Sequence, residues 1–277
     1  MNAKKFLNVR VCLTMTAVAL CGALVLTASC ASDSNNNGGS NGSGGGSGGG
    51  ASGSGGGSCT NPPADGVCFG AGQATGGGNL SNVNGYGWVA LGSADSVSSP
   101  VCDNTANGGG ASETITQAKP CPEAGGKSVW TNPEQGLCIS GTIPVVTGGD
   151  YTGNWGLQIG MNITKDAGGT LGKSYKNITF NYGSGVSPAT SEIRGEIHVA
   201  NDPNLDASHS NYCAVIQPGK PVLLSAFNTE CWTGGAGKPM PDSAVANIDK
   251  VGVQISSDIN SKYDVSNFCW TGFTFAQ

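Results

Sequence analysis

The sequence predicts an all-β fold, an antiparallel β-sandwich stapled by disulfides, and three observations carry that prediction. Leu137, Ile139, Ile143 and Val145, then Leu157, Ile159, Met161 and Ile163, alternate with small or polar residues. This is the period of half-buried strands. Charged residues make up only 11% of the chain and glycines number 47, with no long apolar stretch at helical spacing. Such a composition suits many short strands joined by turns. Beyond residue 58 the cysteines are Cys59, Cys68, Cys102, Cys121, Cys138, Cys213, Cys231 and Cys269. An even eight in an exported chain implies up to four disulfides.

Residues 1–30 read as the export signal. Lys4, Lys5 and Arg10 precede an uncharged apolar run from Val11 to Leu26, the pattern of a cleaved signal peptide. Thr27-Ala28-Ser29-Cys30 resembles a bacterial lipobox, in which the cysteine becomes the lipid-modified first residue of the mature chain. Thr27 stands where that motif usually has Leu, and Leu26 lies one place early. The resemblance implies lipidation at Cys30 and a place in the cell envelope, at the outer membrane or cell surface. Ordinary cleavage after Ala31, which releases a soluble protein, is the competing reading.

From Ala31 to Ser58 the composition collapses to Gly, Ser and Asn with the single charge of Asp33. Nothing there can bury a core, so the expectation is a flexible tether with an end-to-end reach of roughly 30 Å. The rest, 59–277, is the length of one all-β domain. The net charge of −5 includes the cations of the export segment, and no basic patch is visible. Nucleic acid is therefore not an expected partner, and the membrane is met only through the lipid.

Within 59–134 only Tyr86 to Leu91 reads as a strand, the remainder as loops held by local bridges. Later strands are expected at Asn177–Tyr182, Glu192–Val199, Val222–Phe227, Val251–Ile255 and Phe268–Phe275, parted by turns such as Asn201-Asp202-Pro203. Of the 105 pairings that eight cysteines allow, we expect Cys59 with Cys68, Cys102 with Cys121, Cys213 with Cys231, and a long closure of Cys138 with Cys269.

The order of LCISGTIP, NWGLQIGMNI, EIRGEIHV, YCAVI, ECW, VGVQI and FCWTGFTF resembles the galactose-binding-like jelly-roll domains of bacterial extracellular proteins, relatives of carbohydrate-binding modules. The likeness covers roughly Tyr86 to Gln277 and rests on short motifs. It implies a jelly roll of two antiparallel sheets, carbohydrate as the commonest partner and no catalysis within the domain. A structural calcium is compatible with it. Asp202, Asn204 and Asp206 are spaced like oxygen ligands, but Pro203 interrupts them and no closing Glu follows. We read them as a solvated acidic turn, expect no cofactor and assign no metal site.

Pleating turns the residues between the buried aliphatics outward. That set is Gln158 and Asn162, then Asn177, Thr179 and Asn181, then Glu192, Arg194, Glu196 and His198, then Gln254. Amide, guanidinium and carboxylate groups pair the donors and acceptors of sugar hydroxyls. If these strands are neighbours, the residues form a polar groove, with Gly156, Gly160 and Gly252 leaving room for a ligand. The alternative is a sheet face that is merely solvated. Tyr151 and Trp155, in the loop between the two opening strands, are the expected aromatic contacts; Trp232 and Trp88 are further candidates, while Trp270 is assigned to packing. The ligand-binding candidates are thus Tyr151, Trp155, Gln158, Asn162, Asn181, Arg194, Glu196 and Trp232.

A glycosidase needs two carboxyl groups roughly 5 to 9.5 Å apart. Glu192 and Glu196 share a strand face at roughly 13 Å. No GxSxG elbow or HExxH helix is present, and there are two histidines. The expected function is non-catalytic carbohydrate binding at the cell envelope. A structural or adhesive envelope protein is the alternative, and a polysaccharide-acting enzyme stands third.

Overall fold

The computed structural model describes residues 59, 61–70, 72–103, 113–114, 127–130, 135–151, 153–166, 168–190, 192–233 and 236–277. The export signal, Cys30, the linker and Cys121 lie outside the described residues. Sixteen strands are described: β1 (Gly66–Gly70), β2 (Gln73–Gly76), β3 (Gly87–Leu91), β4 (Ser96–Ser99), β5 (Val101–Asp103), β6 (Glu113–Thr114), β7 (Lys127–Val129), β8 (Leu137–Ile143), β9 (Gly156–Asn162), β10 (Asn177–Tyr182), β11 (Val186–Ser187), β12 (Ile193–Val199), β13 (Tyr212–Val215), β14 (Pro221–Leu223), β15 (Ile248–Ser256) and β16 (Tyr263–Ala276).

Two antiparallel sheets pack face to face. One runs β13-β12-β15-β9-β3; the other runs β14-β10-β16-β1-β2, with β8 also on β16, β4 on β8 and β11 on β16. From β8 onward the chain crosses repeatedly between them, β10 and β11 staying in the larger sheet and β12 and β13 in the five-stranded one, which gives the orders β8-β16-β10-β14 and β9-β15-β12-β13. β5, β6 and β7 form a small separate sheet. Glycines mark how closely the layers approach. A Cβ at Gly195 of β12 would come within 2.8 Å of the Phe180 ring on β10, and one at Gly87 of β3 within 2.8 Å of Leu137 on β8.

The closing strand β16 organises the larger sheet. Its core-facing side chains are Tyr263 and Val265, then Phe268 and Trp270, then Phe273 and Phe275, so the inward parity changes twice. Each change coincides with a register irregularity, the first between Val265 and Phe268 and the second around Thr271 and Gly272. Asn267 (φ 52°) and Gly272 (φ 151°) carry the unusual backbone. Bulges turn the strand without losing the core face. One strand can therefore pair β8 with its first half and β1 with its second. Trp270 packs against Phe69 at 4.7 Å and Phe273 at 5.7 Å between ring centroids, and its Nε1 donates to the Gly272 carbonyl at 3.0 Å. That satisfies the one polar atom of a fully buried indole.

Three bridges are those expected from the sequence: Cys59–Cys68, Cys138–Cys269 and Cys213–Cys231. The expected pairing of Cys102 rests on Cys121, outside the described residues. Cys138 and Cys269 face each other in register with Cα atoms 3.9 Å apart. Cys138 lies between the core residues Leu137 and Ile139, so pleating puts this bridge on the outer side of the sheet.

Two expectations need correction. Residues 59–134 are not one strand with loops, because β1 and β2 extend the larger sheet and β4 pairs β8. Val222–Phe227 is not a single strand either. β14 ends at Leu223 and a 3-10 turn spans Leu224–Ala226, with Leu224 and Phe227 both buried. Inward residues three apart suit a turn rather than a pleat.

Candidate functional site

Cross-strand register assembles a polar surface on the outer face of the five-stranded sheet. Leu157, Ile159 and Met161 of β9, Val251, Val253 and Ile255 of β15, and Ile197 and Val199 of β12 point into the core. Their neighbours must point outward. One row reads Ala90, Gln158, Gln254, Arg194, Val215 across five strands, and the next reads Trp88, Gly160, Gly252, Glu196, Cys213. A third carries Asn162, Lys250 and His198. Five strands at about 4.8 Å spacing span roughly 19 Å, enough for several sugar rings.

Here the structure brings together Gln158, Asn162, Arg194 and Glu196. Asn181 is not with them. It lies on β10 in the other sheet, and with Asn177 and Thr179 faces outward on the opposite side of the sandwich, where it is exposed. A single groove through all the polar strands, expected if they were neighbours, is therefore not formed.

The glycines expected to admit a ligand are filled by the protein itself. A Cβ at Gly160 would fall inside the Trp88 ring, so the indole lies across Gly160 on the outer face, its Nε1 donating to Asn162 Oδ1 at 3.2 Å. At Gly252 a Cβ would stand 2.9 Å from the Ile159 carbonyl and 3.2 Å from the Gln158 amide nitrogen. Gly156 has φ 108°, and a side chain there would strike the Ile255 carbonyl. The surface is a shallow platform floored by Trp88 and Gln158.

At its centre are two poorly compensated groups. Glu196 is only 9% exposed. Burial pushes its carboxyl up to about 8, against the opposing pull of Arg194 and a hydrogen bond from Asn211; desolvation dominates over the nearby charge. Arg194 keeps 15% of its side-chain surface open, and its Nη2 reaches Glu192 Oε2 at 3.5 Å. Its buried Nε has no hydrogen-bond partner among the described residues. At the edge, His198 Nδ1 lies 2.5 Å from Asp249 Oδ1.

The loop bearing Tyr151 and Trp155 meets this face at one corner. Gln254 Nε2 donates to the Trp155 carbonyl at 3.1 Å, and Ser257 Oγ donates to the Asn154 carbonyl. The loop is held from below by Asp95, whose Oδ2 accepts the Gly92 and Gly156 N–H groups at 2.8 and 3.1 Å. Burial raises the Asp95 carboxyl, only partly offset by those two bonds. Tyr151 is 46% exposed. Trp232, beside the Cys213–Cys231 bridge, is 54% exposed and stacks on His209, the ring planes 3° apart.

Lys250, Asp95 and Asn211 were not foreseen. Lys250 faces outward in step with Gly252 and Gln254; β15 departs from strict alternation only before it, where Ile248 is buried as well as Val251 and the register shifts opposite at His198/Val199. Asp202, Asn204 and Asp206 do not converge on a metal. Asp202 accepts from the Asn204 N–H and the Tyr212 hydroxyl, and Asp206 from the N–H groups of Ser208 and His209. Among the described residues no cluster of three His, Cys, Asp or Glu could hold an ion, and no helix is long and apolar enough to cross a membrane. A cleft of about 310 Å³ opens elsewhere, lined by Tyr182, Val186, Ile193, Ile216, Pro218 and Phe268. Compared with protein-family models and with curated proteins, the chain finds no match.

Proposed function

We propose that this is a non-catalytic carbohydrate-binding domain of jelly-roll type, displayed on the bacterial cell envelope by a lipid on Cys30. The observation that carries the reading is the cross-strand register, which sets Gln158, Gln254 and Arg194 in one row beside a row holding Trp88 and Glu196. The amides and guanidinium supply donors and acceptors for sugar hydroxyls, and the half-buried indole supplies a flat apolar surface for the C–H face of a sugar ring. The strand orders β8-β16-β10-β14 and β9-β15-β12-β13 support the jelly roll, in which eight strands wind through two Greek keys. Trp155 borders the platform at its corner; Tyr151 and Trp232 extend it if the ligand is long.

The test is a glycan array with the purified protein, followed by Trp88→Ala and Gln254→Ala variants checked for folding. Binding weakened at least ~10-fold by either variant supports the site, as expected for losing about 1.4 kcal/mol of contact. No binding, or binding unchanged in both, counts against it. An envelope protein that makes protein contacts is the second reading, favoured by the exposure of Trp232 and of Val215 along the β13 edge. Glycan-insensitive capture of a specific partner through that edge would establish it. Lipidation is checked separately by the mass of the mature N-terminus: an acylated Cys30 is expected, and an unmodified start at Ala31 or Ser32 sinks the anchor.

A further inference from the structure

We propose that the platform recognises a carboxylate, the acidic group of a uronic-acid sugar, held between the Arg194 guanidinium and the Glu196 carboxyl. The inference rests on the carbohydrate-binding reading and names the ligand class for that same face.

Arg194 is the first ground. A guanidinium has five N–H donors, and here the described contacts are one Nη2 approach at 3.5 Å to Glu192, with Nε buried and unpartnered among the described residues. Charge-assisted bonds to carboxylates are normally about 2.7–2.9 Å and often paired, two parallel N–H groups meeting two oxygens. Buried donors left unpaired are uncommon. A planar carboxylate arriving at the accessible part of the guanidinium, on the Nη groups that one long contact to Glu192 leaves underused, would supply the missing paired bonds.

Glu196 is the second. It sits on the same face two residues along β12, about 7 Å away at the rise of a strand, and no ion pair joins it to Arg194 among the described residues. A carboxylate set between them can take N–H groups from one side and an O–H from the other. For that, Glu196 must hold its proton, which its burial favours up to about pH 8. Once ionised it would repel the ligand. The groups facing Glu196 are Arg194 and His198 on its own strand, Lys250 and Gln254 diagonally on β15, Asn211 before β13, and Cys213 directly opposite in its bridge. None is an acid, and Asp249 and Glu192 are engaged by His198 and Arg194. The chain's net negative charge does not forbid an acidic ligand, since salt screens exposed charges beyond about 8 Å at physiological ionic strength.

The experiment is calorimetric titration of the purified protein with uronic-acid oligosaccharides (galacturonate, glucuronate and mannuronate series), with the neutral hexose oligomer of the same linkage and length, and with a sulfated counterpart, each at pH 6 and pH 9. We expect a uronate to bind at least ~10-fold tighter than its neutral partner at pH 6, and to lose most of that advantage at pH 9. Arg194→Gln should reduce the uronate to the neutral level. Glu196→Gln, which keeps an N–H donor, should bind the uronate at both pH values. Equal binding of acidic and neutral sugars, insensitive to Arg194→Gln, overturns carboxylate recognition and leaves the carbohydrate reading standing. Preference for the sulfated oligomer, unchanged between pH 6 and pH 9, overturns the role of Glu196. If no oligomer of either kind binds, both readings fall.

Discussion

The two outer faces of the sandwich use similar residues to different ends. On the eight-stranded sheet, Asn177, Thr179 and Asn181 of β10 face outward beside Thr274 and Gly272 of β16, small polar groups that are half-exposed or exposed, and what is buried on that side is the uncharged Cys138–Cys269 bridge. On the five-stranded sheet, Gln158 and Glu196 are buried to within a tenth of their surface although they face away from the core, beneath neighbours such as the Trp88 indole. A solvated face costs nothing to maintain. A face that desolvates a carboxyl and leaves a guanidinium nitrogen unpaired is held at an energetic cost, and such groups gather at functional sites. The contrast between the two faces, rather than the polarity of either, singles out the platform.

The largest effect expected belongs to the fold-holding side. Cys138→Ser with Cys269→Ser should lower unfolding free energy by on the order of 4 to 5 kcal/mol, because the bridge closes 131 residues and the chain-entropy cost grows with loop length. Breaking Cys213–Cys231, separated by 18 residues, should cost about 3 kcal/mol in the same picture. Denaturant titration distinguishes the two. Equal losses would mean that strain or residual structure dominates over loop length.

Glu196→Gln comes next, and its effect depends on pH. The unfolded carboxyl loses its proton near 4.5 and the folded one near 8. Below 4.5 both states hold the proton and the native contribution is intact. As pH rises toward 8 the unfolded state gains by ionising, and wild-type stability falls. The variant removes that fall, so it should match the wild type near pH 4 and exceed it by on the order of a few kcal/mol at pH 8. Thermal melts at both pH values check this, and a gap independent of pH would contradict it.

Smaller effects test the supports of the platform. Asp95→Ala leaves the Gly92 and Gly156 N–H groups without their acceptor and should destabilise by about 1–3 kcal/mol, whereas Asp95→Asn, which keeps a carbonyl oxygen, should lose less. Gly160→Ala forces the Trp88 indole off the sheet, with a loss of about 1–3 kcal/mol and a changed tryptophan emission. On the other face, Asn177→Ala and Asn181→Ala should stay within about 0.5 kcal/mol. A larger loss there would erase the contrast between the faces.

The strands were legible where one face is simply buried. Asn177–Tyr182 is read to the residue, and Arg194 and Glu196 emerge together because β12 alternates without interruption. What alternation cannot supply is which sheet a strand joins. Asn181 and Gln158 look alike in the sequence, yet the pairings of β10 with β16 and of β9 with β15 put them on opposite sides. Bulges hide parity changes, which concealed the burial of Ile248 and the double use of β16. Trp88 over Gly160 is a contact between residues far apart in the chain. A glycine inside an otherwise regular strand was its only local sign. The short strands β1, β2 and β13 carry too few residues for a period to show, whereas three of the cysteine pairings followed from spacing and from the benefit of closing a long loop.

The most direct test of the account compares the two faces in one binding experiment. Whichever oligosaccharide the array identifies is titrated against the wild type, against Trp88→Ala with Arg194→Gln on one face, and against Asn177→Ala with Asn181→Ala on the other. The account predicts at least a ~10-fold loss of affinity for the first pair and none for the second. Equal affinity in all three proteins, or loss only in the β10 pair, would contradict it.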